Sequence, residues 1–129
     1  MKVTLSFETT TSEDVSIMVD ALRASSTMTL ALDKFEKIIP CFSAEEALKI
    51  KDETGGVLAG ERKGKKIDGF DIGNSPTDIE ELETDAKTLI LTTTNGTRIL
   101  ENMNSTVLVG CLINAKAVGS ASATIAQNH

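Results

Sequence analysis

Hydrophobic and polar positions along the chain switch between two periods. Residues 2–7, KVTLSF, alternate and predict an edge strand. VSIMVD (15–20) predicts a strand that ends in an acid, and SSTMTLALDKFE (25–36) predicts a helix. KIIPCF (37–42) predicts a strand, and Pro40 places it at an edge or a bulge because proline cannot donate to a ladder. SAEEALKIKDE (43–53) opens with a capping box, Ser43 with Glu46, and puts Ala44, Ala47 and Leu48 on one helical face. GVLAG (56–60) predicts a strand. Residues 61–74 are rich in glycine and charge and read as irregular, too long for an idle connection. SPTDIEEL (75–82) predicts a helix with Ser75 at the cap and Pro76 in the first turn. A strand from Lys87 to Thr93, a short helix from Thr97, a strand TVLVG (106–110) and a helix from about Asn114 to Ala126 complete the series.

One dipeptide competes with this reading. Asn95-Gly96 is the strongest short-range signal for a two-residue hairpin. A hairpin needs alternation on the returning strand. Ile99, Leu100 and Met103 instead lie on one side of a helix. The stretch TLILTTTNGTRIL (88–100) therefore predicts a strand-to-helix junction, with Thr94 and Asn95 as capping residues. Free backbone N–H groups at such a junction suit an anion, although the same residues could simply cap the helix. Strands alternating with helices imply a three-layer α/β/α fold with a mostly parallel sheet, one domain over residues 1–129.

Composition narrows the function. A chain of 129 residues is long enough for one sizeable core. Thirteen Lys and Arg against 19 Asp and Glu give a net charge of -6, which disfavours a nucleic-acid partner. Aromatic content of 3% argues against base stacking. The apolar runs are far too short for a membrane span, and the N-terminus turns polar too early for a signal peptide. Cys41 and Cys111 are far apart, as in a cytoplasmic protein with reduced thiols. The single His is the last residue, so a His-based nucleophile relay or zinc site has no material.

Ligands of open α/β sheets bind beyond the carboxyl ends of the strands. Those ends carry Asp20, Arg23, Ser25 and Ser26; then Glu61 and Arg62, with Asp68, Asp71 and Asn74; then Thr94, Asn95, Gly96 and Thr97; then Cys111 and Asn114. Each has a plain alternative. Asp20 could be a loop acid, and Arg23 could cover apolar surface with its stem. Glu61, Arg62 and the lysines 63, 65 and 66 could be solvated charges. Cys111 could be a small buried hydrophobe. Together, two acids with amide oxygens suit a hard cation such as Mg²⁺, and arginines suit phosphate or sulfonate. No Gly-rich loop ending in Gly-Lys-Ser/Thr is present, which argues against a P-loop ATPase. Asp20 has no acid two residues later, so an aspartyl-phosphate route lacks its partner.

VDALRASST (19–27), LAGERKGKKIDGFDIGNSP (58–76) and LTTTNGTRIL (91–100), followed by VGCLINAKAV (109–118), resemble the 2-phosphosulfolactate phosphatase family. The resemblance runs from about residue 15 onward and covers one lobe of a family about twice as long. It implies Mg²⁺-dependent hydrolysis of 2-phospho-3-sulfolactate to 3-sulfolactate and phosphate, a step of coenzyme M biosynthesis. Asp20 and Glu61 are then expected to be catalytic and to contact the metal. Arg23, Ser25, Arg62, Asn74, Thr94, Asn95, Gly96, Thr97 and Asn114 are expected to bind the small anionic substrate. Gly96 is expected to let an anion approach the backbone, its replacement costing the fold little. The apolar surface that a second lobe would cover implies a homo-oligomer. The alternative is a non-catalytic anion-binding or assembly module derived from the same fold.

Overall fold

The computed structural model describes residues 2–7, 13–101 and 103–127. Their order is β1 (Val15–Met18), α1 (Ala24–Ala31), β2 (Lys37–Pro40), α2 (Ala44–Thr54), β3 (Val57–Arg62), β4 (Lys65–Lys66), α3 (Pro76–Glu81), β5 (Thr88–Thr92), α4 (Gly96–Glu101), β6 (Thr106–Val109) and α5 (Ala115–Gln127). Strands β2, β5 and β3 are parallel neighbours, β4 adds antiparallel to β3, and β1 pairs in parallel with β6. This is an α/β protein with a mostly parallel sheet.

The period of two along the central strands assigns the layers. Leu89 and Leu91 of β5, with Val57 and Ala59 of β3, pack into one cluster with Met28, Ala31, Phe35 and Ile79. Ile90 and Leu58, one residue out of phase, pack into the other with Cys41, Ala47 and Phe70. Helices therefore cover both faces, and β5 reads as a continuous apolar run because neither face meets water. Each such Leu or Ile, fully buried, stabilises the fold by about 1.5–3 kcal/mol. Met18 brings the β1–β6 pair onto the first cluster.

Local signals explain several boundaries. The Ser43 hydroxyl accepts the Glu46 N–H at 3.1 Å, and the Glu46 carboxylate accepts the Phe42 N–H at 2.9 Å. Gly55 closes α2 with φ of 66°, a left-handed position that favours glycine. Pro40 lies in β2, which among the described residues pairs only with β5 and so is an edge strand, as its proline requires.

Four expectations need correction. Residues 2–7 form no strand. Val3, Leu5 and Phe7 are 79–96% exposed, so the alternating apolar positions bury nothing, and alternation alone does not order a strand. Helix α1 stops at Ala31 and not at residue 36: Asp33 and Lys34 close it with tight bonds to Leu30 and Ala31, which turn Phe35 into the core. The stretch 61–74 is not irregular. β3 runs on to Arg62, turns at Lys63-Gly64 and returns as β4. Residues 67–72 then fold back along β3, where Ile72 bridges to Ala59. Lys63 and Gly64 have φ of 52° and 77°, so the two-residue hairpin lies here and not at Asn95-Gly96. The fourth correction concerns Gly96 and Arg62 and belongs to the site. The strand-to-helix junction at Asn95-Gly96 is present, between β5 and α4. Among the described residues, no helix is long and apolar enough to cross a membrane.

Candidate active site

Beyond the ends of β1, β3 and β5 the surface opens into a cleft of about 250 Å³. The β1–α1 loop contributes Asp20 and Arg23. The end of β3 contributes Glu61, and the hairpin turn contributes Lys63 and Gly64. Asn74 comes from the segment before α3, and Thr94 and Asn95 from the β5–α4 turn. β3 and β5 are parallel neighbours, so their carboxyl ends point the same way, and β1, paired with β6 in a second sheet, brings Asp20 and Arg23 to the same cleft.

Glu61 forms the floor. It is 9% exposed. Its carboxylate accepts the Thr94 N–H at 2.6 Å, the Thr94 hydroxyl at 3.0 Å and the Gly64 N–H at 2.8 Å. Burial pushes its pKa up, but these bonds, with the charge of Arg62, outweigh burial and hold it below the usual value. Three donors leave the carboxylate room for a further partner.

Asp20 moves the other way. Burial pushes its pKa up, the Ala24 N–H lowers it, and the charge of Glu61 raises it again, with a net rise. Its backbone is pinned by Ser25: the Asp20 N–H donates to the Ser25 hydroxyl at 2.8 Å, and the Ser25 N–H donates to the Asp20 carbonyl at 2.9 Å. The two carboxyls share one cleft but answer to different surroundings: hydrogen bonds win over burial at Glu61, and burial wins over the Ala24 hydrogen bond at Asp20.

Asn74 is 5% exposed, and its Oδ1 is buried without a hydrogen-bond partner. Buried carbonyl oxygens are nearly always paired. An orphaned acceptor beside two carboxylates fits a hard cation or a donor brought by a ligand. Among the described residues, no group of three His, Cys, Asp or Glu side chains could hold a metal. The fit to Mg²⁺ therefore rests on Asp20, Glu61 and the Asn74 amide oxygen. Mg²⁺ commonly takes one or two carboxylates and keeps several waters.

Of the expected site residues, the structure gathers Asp20, Arg23, Glu61, Asn74, Thr94 and Asn95 around the cleft. The others do not line it, although Gly96 lies beside the Asp20 carboxylate. Arg62 does not line the cleft: its guanidinium donates to the Glu61 carbonyl, the Phe42 carbonyl and, at 2.7 Å, the Thr92 hydroxyl. Ser25 is fully buried behind Asp20. Thr97 is buried and locked to Thr93: its hydroxyl donates to the Thr93 carbonyl, and the N–H of each residue donates to the other's hydroxyl. A Cβ on Gly96 would meet the Ala24 Cβ at 2.5 Å and the Asp20 Oδ2 at 3.3 Å. Gly96 is thus required by the packing of α4 on α1, and its replacement is not cheap. Asn114 lies away from the cleft. It accepts the Cys111 N–H and donates to the Val109 carbonyl and the Thr29 hydroxyl. Lys63 and Gly64, read in the sequence as part of a solvated loop, line the cleft. The signal for them was the two-residue spacing between GVLAGER and the lysines of β4, with Gly64 in the turn.

The profile of the 2-phosphosulpholactate phosphatase family matches residues 3–128. A 2-phosphosulfolactate phosphatase of Methanothermobacter thermautotrophicus is 48% identical over 121 residues, 94% of this chain and 52% of that protein. A probable 2-phosphosulfolactate phosphatase of Clostridium acetobutylicum is 44% identical over 80% of this chain and 46% of its own length. The 2-phosphosulfolactate phosphatase of Methanocaldococcus jannaschii is 39% identical over 84% of this chain and 49% of its own length. The chain spans about half the length of the curated relatives it matches.

Proposed function

The chain belongs to the 2-phosphosulfolactate phosphatase family, and from that premise we propose that its cleft carries Mg²⁺-dependent hydrolysis of 2-phospho-3-sulfolactate to 3-sulfolactate and phosphate. The observation that carries this reading is the orphaned Asn74 Oδ1 in a cleft that also holds Asp20, Glu61 and Arg23. Asp20, Glu61 and Asn74 would hold the cation, which when bound neutralises developing charge on the phosphoryl and leaving oxygens. Arg23 orients the phosphate, as a planar guanidinium can bind two oxygens at once. Glu61 stays ionised and braces the Thr94 turn. Asp20, whose pKa burial raises above its ordinary value, is the carboxyl suited to take up a proton during the step. Hydrolysis forms a P–O bond to water and breaks the bond to the ester oxygen, and that oxygen gains the proton water gives up. The proposed setting is cytoplasmic, as a step towards coenzyme M.

Phosphate release from 2-phospho-3-sulfolactate by the 129-residue chain tests the reading. Turnover that needs Mg²⁺, stops with EDTA and falls in Asp20→Asn is expected. Substrate binding without turnover would establish the anion-binding module instead.

A further inference from the structure

Lys63 lines the cleft from the tip of the β3–β4 hairpin, and turn chemistry does not account for a lysine there. With positive φ at both central residues, the Lys63-Gly64 turn has the type I′ pattern. Its first position favours Asn, Asp or Gly, which enter the left-handed region at least cost. Lys63 is the only non-glycine residue with positive φ among those described. Its backbone is tied to the cleft floor. The Lys63 N–H donates to the Thr94 hydroxyl at 3.2 Å, and the next N–H, of Gly64, donates to Glu61. Among the described residues, neither Lys63 nor Arg23 is in an ion pair. Two basic residues from separate elements thus line one cleft, where a phosphate monoester with no other charge would need one.

We propose that Lys63 is a specificity residue that binds an anionic group of the substrate other than the transferred phosphate, while Arg23 takes the phosphate. This rests on the phosphatase reading. It explains why a residue poorly suited to the turn stands at its first position. The sulfonate and the carboxylate of the substrate share the chemistry that an exposed ammonium recognises.

Lys63→Asn separates this role from a structural one, because Asn suits the turn better than Lys. The melting temperature is expected to hold or rise. KM for 2-phospho-3-sulfolactate is expected to rise about tenfold, the scale of one lost charge-assisted bond, with kcat little changed. KM for p-nitrophenyl phosphate, which carries no second anion, should stay within about twofold of wild type. Lys63→Arg should stay near wild type on both. An equal rise for 2-phospholactate, which lacks the sulfonate, assigns the carboxylate; a rise confined to the sulfonated substrate assigns the sulfonate. Unchanged KM for 2-phospho-3-sulfolactate overturns the proposal, and so does an equal loss on p-nitrophenyl phosphate. If the wild type does not turn over, the hydrolysis reading fails separately, and titration with 3-sulfolactate decides. About tenfold weaker binding by Lys63→Asn supports the role; equal affinities, or no binding by the wild type, overturn it.

Discussion

Glu61 and Thr94 hold each other twice: the carboxylate accepts the Thr94 N–H at 2.6 Å and its hydroxyl at 3.0 Å. The pair ties the end of β3 to the β5–α4 turn, and the Gly64 bond adds the hairpin. Glu61→Gln keeps the shape but turns an amide N–H₂ towards donors. Loss of one or two charge-assisted bonds should cost about 1–3 kcal/mol, read by urea denaturation. The sign with pH is definite. Glu61 has a lowered folded pKa, so its contribution is present above the unfolded value, about 4.3, and is lost as pH falls through the folded one. The variant should lack that part of the acid transition. A variant as stable as wild type at neutral pH would show that the brace contributes nothing.

Two helical glycines should answer the same substitution with opposite signs. At Gly119, in the middle of α5, a Cβ meets nothing within 4 Å. Gly119→Ala should stabilise by about 0.5–1 kcal/mol through backbone entropy. At Gly96, in the first turn of α4, the Cβ would lie 2.5 Å from the Ala24 Cβ. Gly96→Ala should destabilise by about 1–3 kcal/mol, the cost of overpacking. Thermal melts of the two variants side by side test the pair, and movement in the same direction would remove the packing argument.

That contrast also shows what a sequence can reveal. Ile99 and Leu100 after Asn95-Gly96 made the junction legible, because helical spacing is a local property. The convergence of Asp20, Glu61, Asn74 and Thr94 was legible from the rule that strand ends gather, without any knowledge of distances. Three features were not. Arg62 is aimed by the Phe42 carbonyl and the Thr92 hydroxyl, tertiary acceptors with no trace near Arg62 in the chain. Gly96 is small because of Ala24, on a different helix. The Lys63 turn was hidden because lysine is not a residue that turn chemistry selects.

Asp71 illustrates a surface ion pair that matters for its other bond. Its Oδ2 accepts the Lys51 ammonium and the Leu58 N–H, each at 2.8 Å. Burial pushes the Asp71 pKa up, but the Lys51 and Leu58 bonds and the nearby lysine charges outweigh it and lower it. The Lys51 pair is largely solvated and worth little, so Lys51→Ala should change stability by less than about 0.5 kcal/mol. Asp71→Ala leaves the N–H of a buried strand residue unpaired and should cost about 1–3 kcal/mol. Equal effects of the two substitutions, by chemical denaturation, would mean that the ion pair and not the backbone bond is what counts.

The two cysteines, both free, should separate chemically. Cys41 is fully buried, and burial with the nearby charge of Glu46 pushes its thiol up to about 11 from 9.0. At Cys111 burial also raises the pKa, but hydrogen bonds from the Thr29 hydroxyl, the Asn114 and Ile113 backbone and the Ser26 hydroxyl outweigh it and bring it below the usual value. Iodoacetamide at pH 8 should therefore modify Cys111 before Cys41 in the native chain, as read by peptide mass spectrometry, since the thiolate is the nucleophile. Cys41 also has a consequence for stability. Its folded pKa is raised, so its contribution is complete below the unfolded value and is lost as pH rises through the folded one. Between pH 9 and about 11 the unfolded thiol ionises while the folded one does not. Stability should then fall by about 1.4 kcal/mol per pH unit from this group. Cys41→Ala should flatten that part of the alkaline profile whatever it costs at neutral pH, and Cys111→Ala should not. Parallel alkaline slopes in wild type and Cys41→Ala, or labelling of Cys41 first, would refute the assignment.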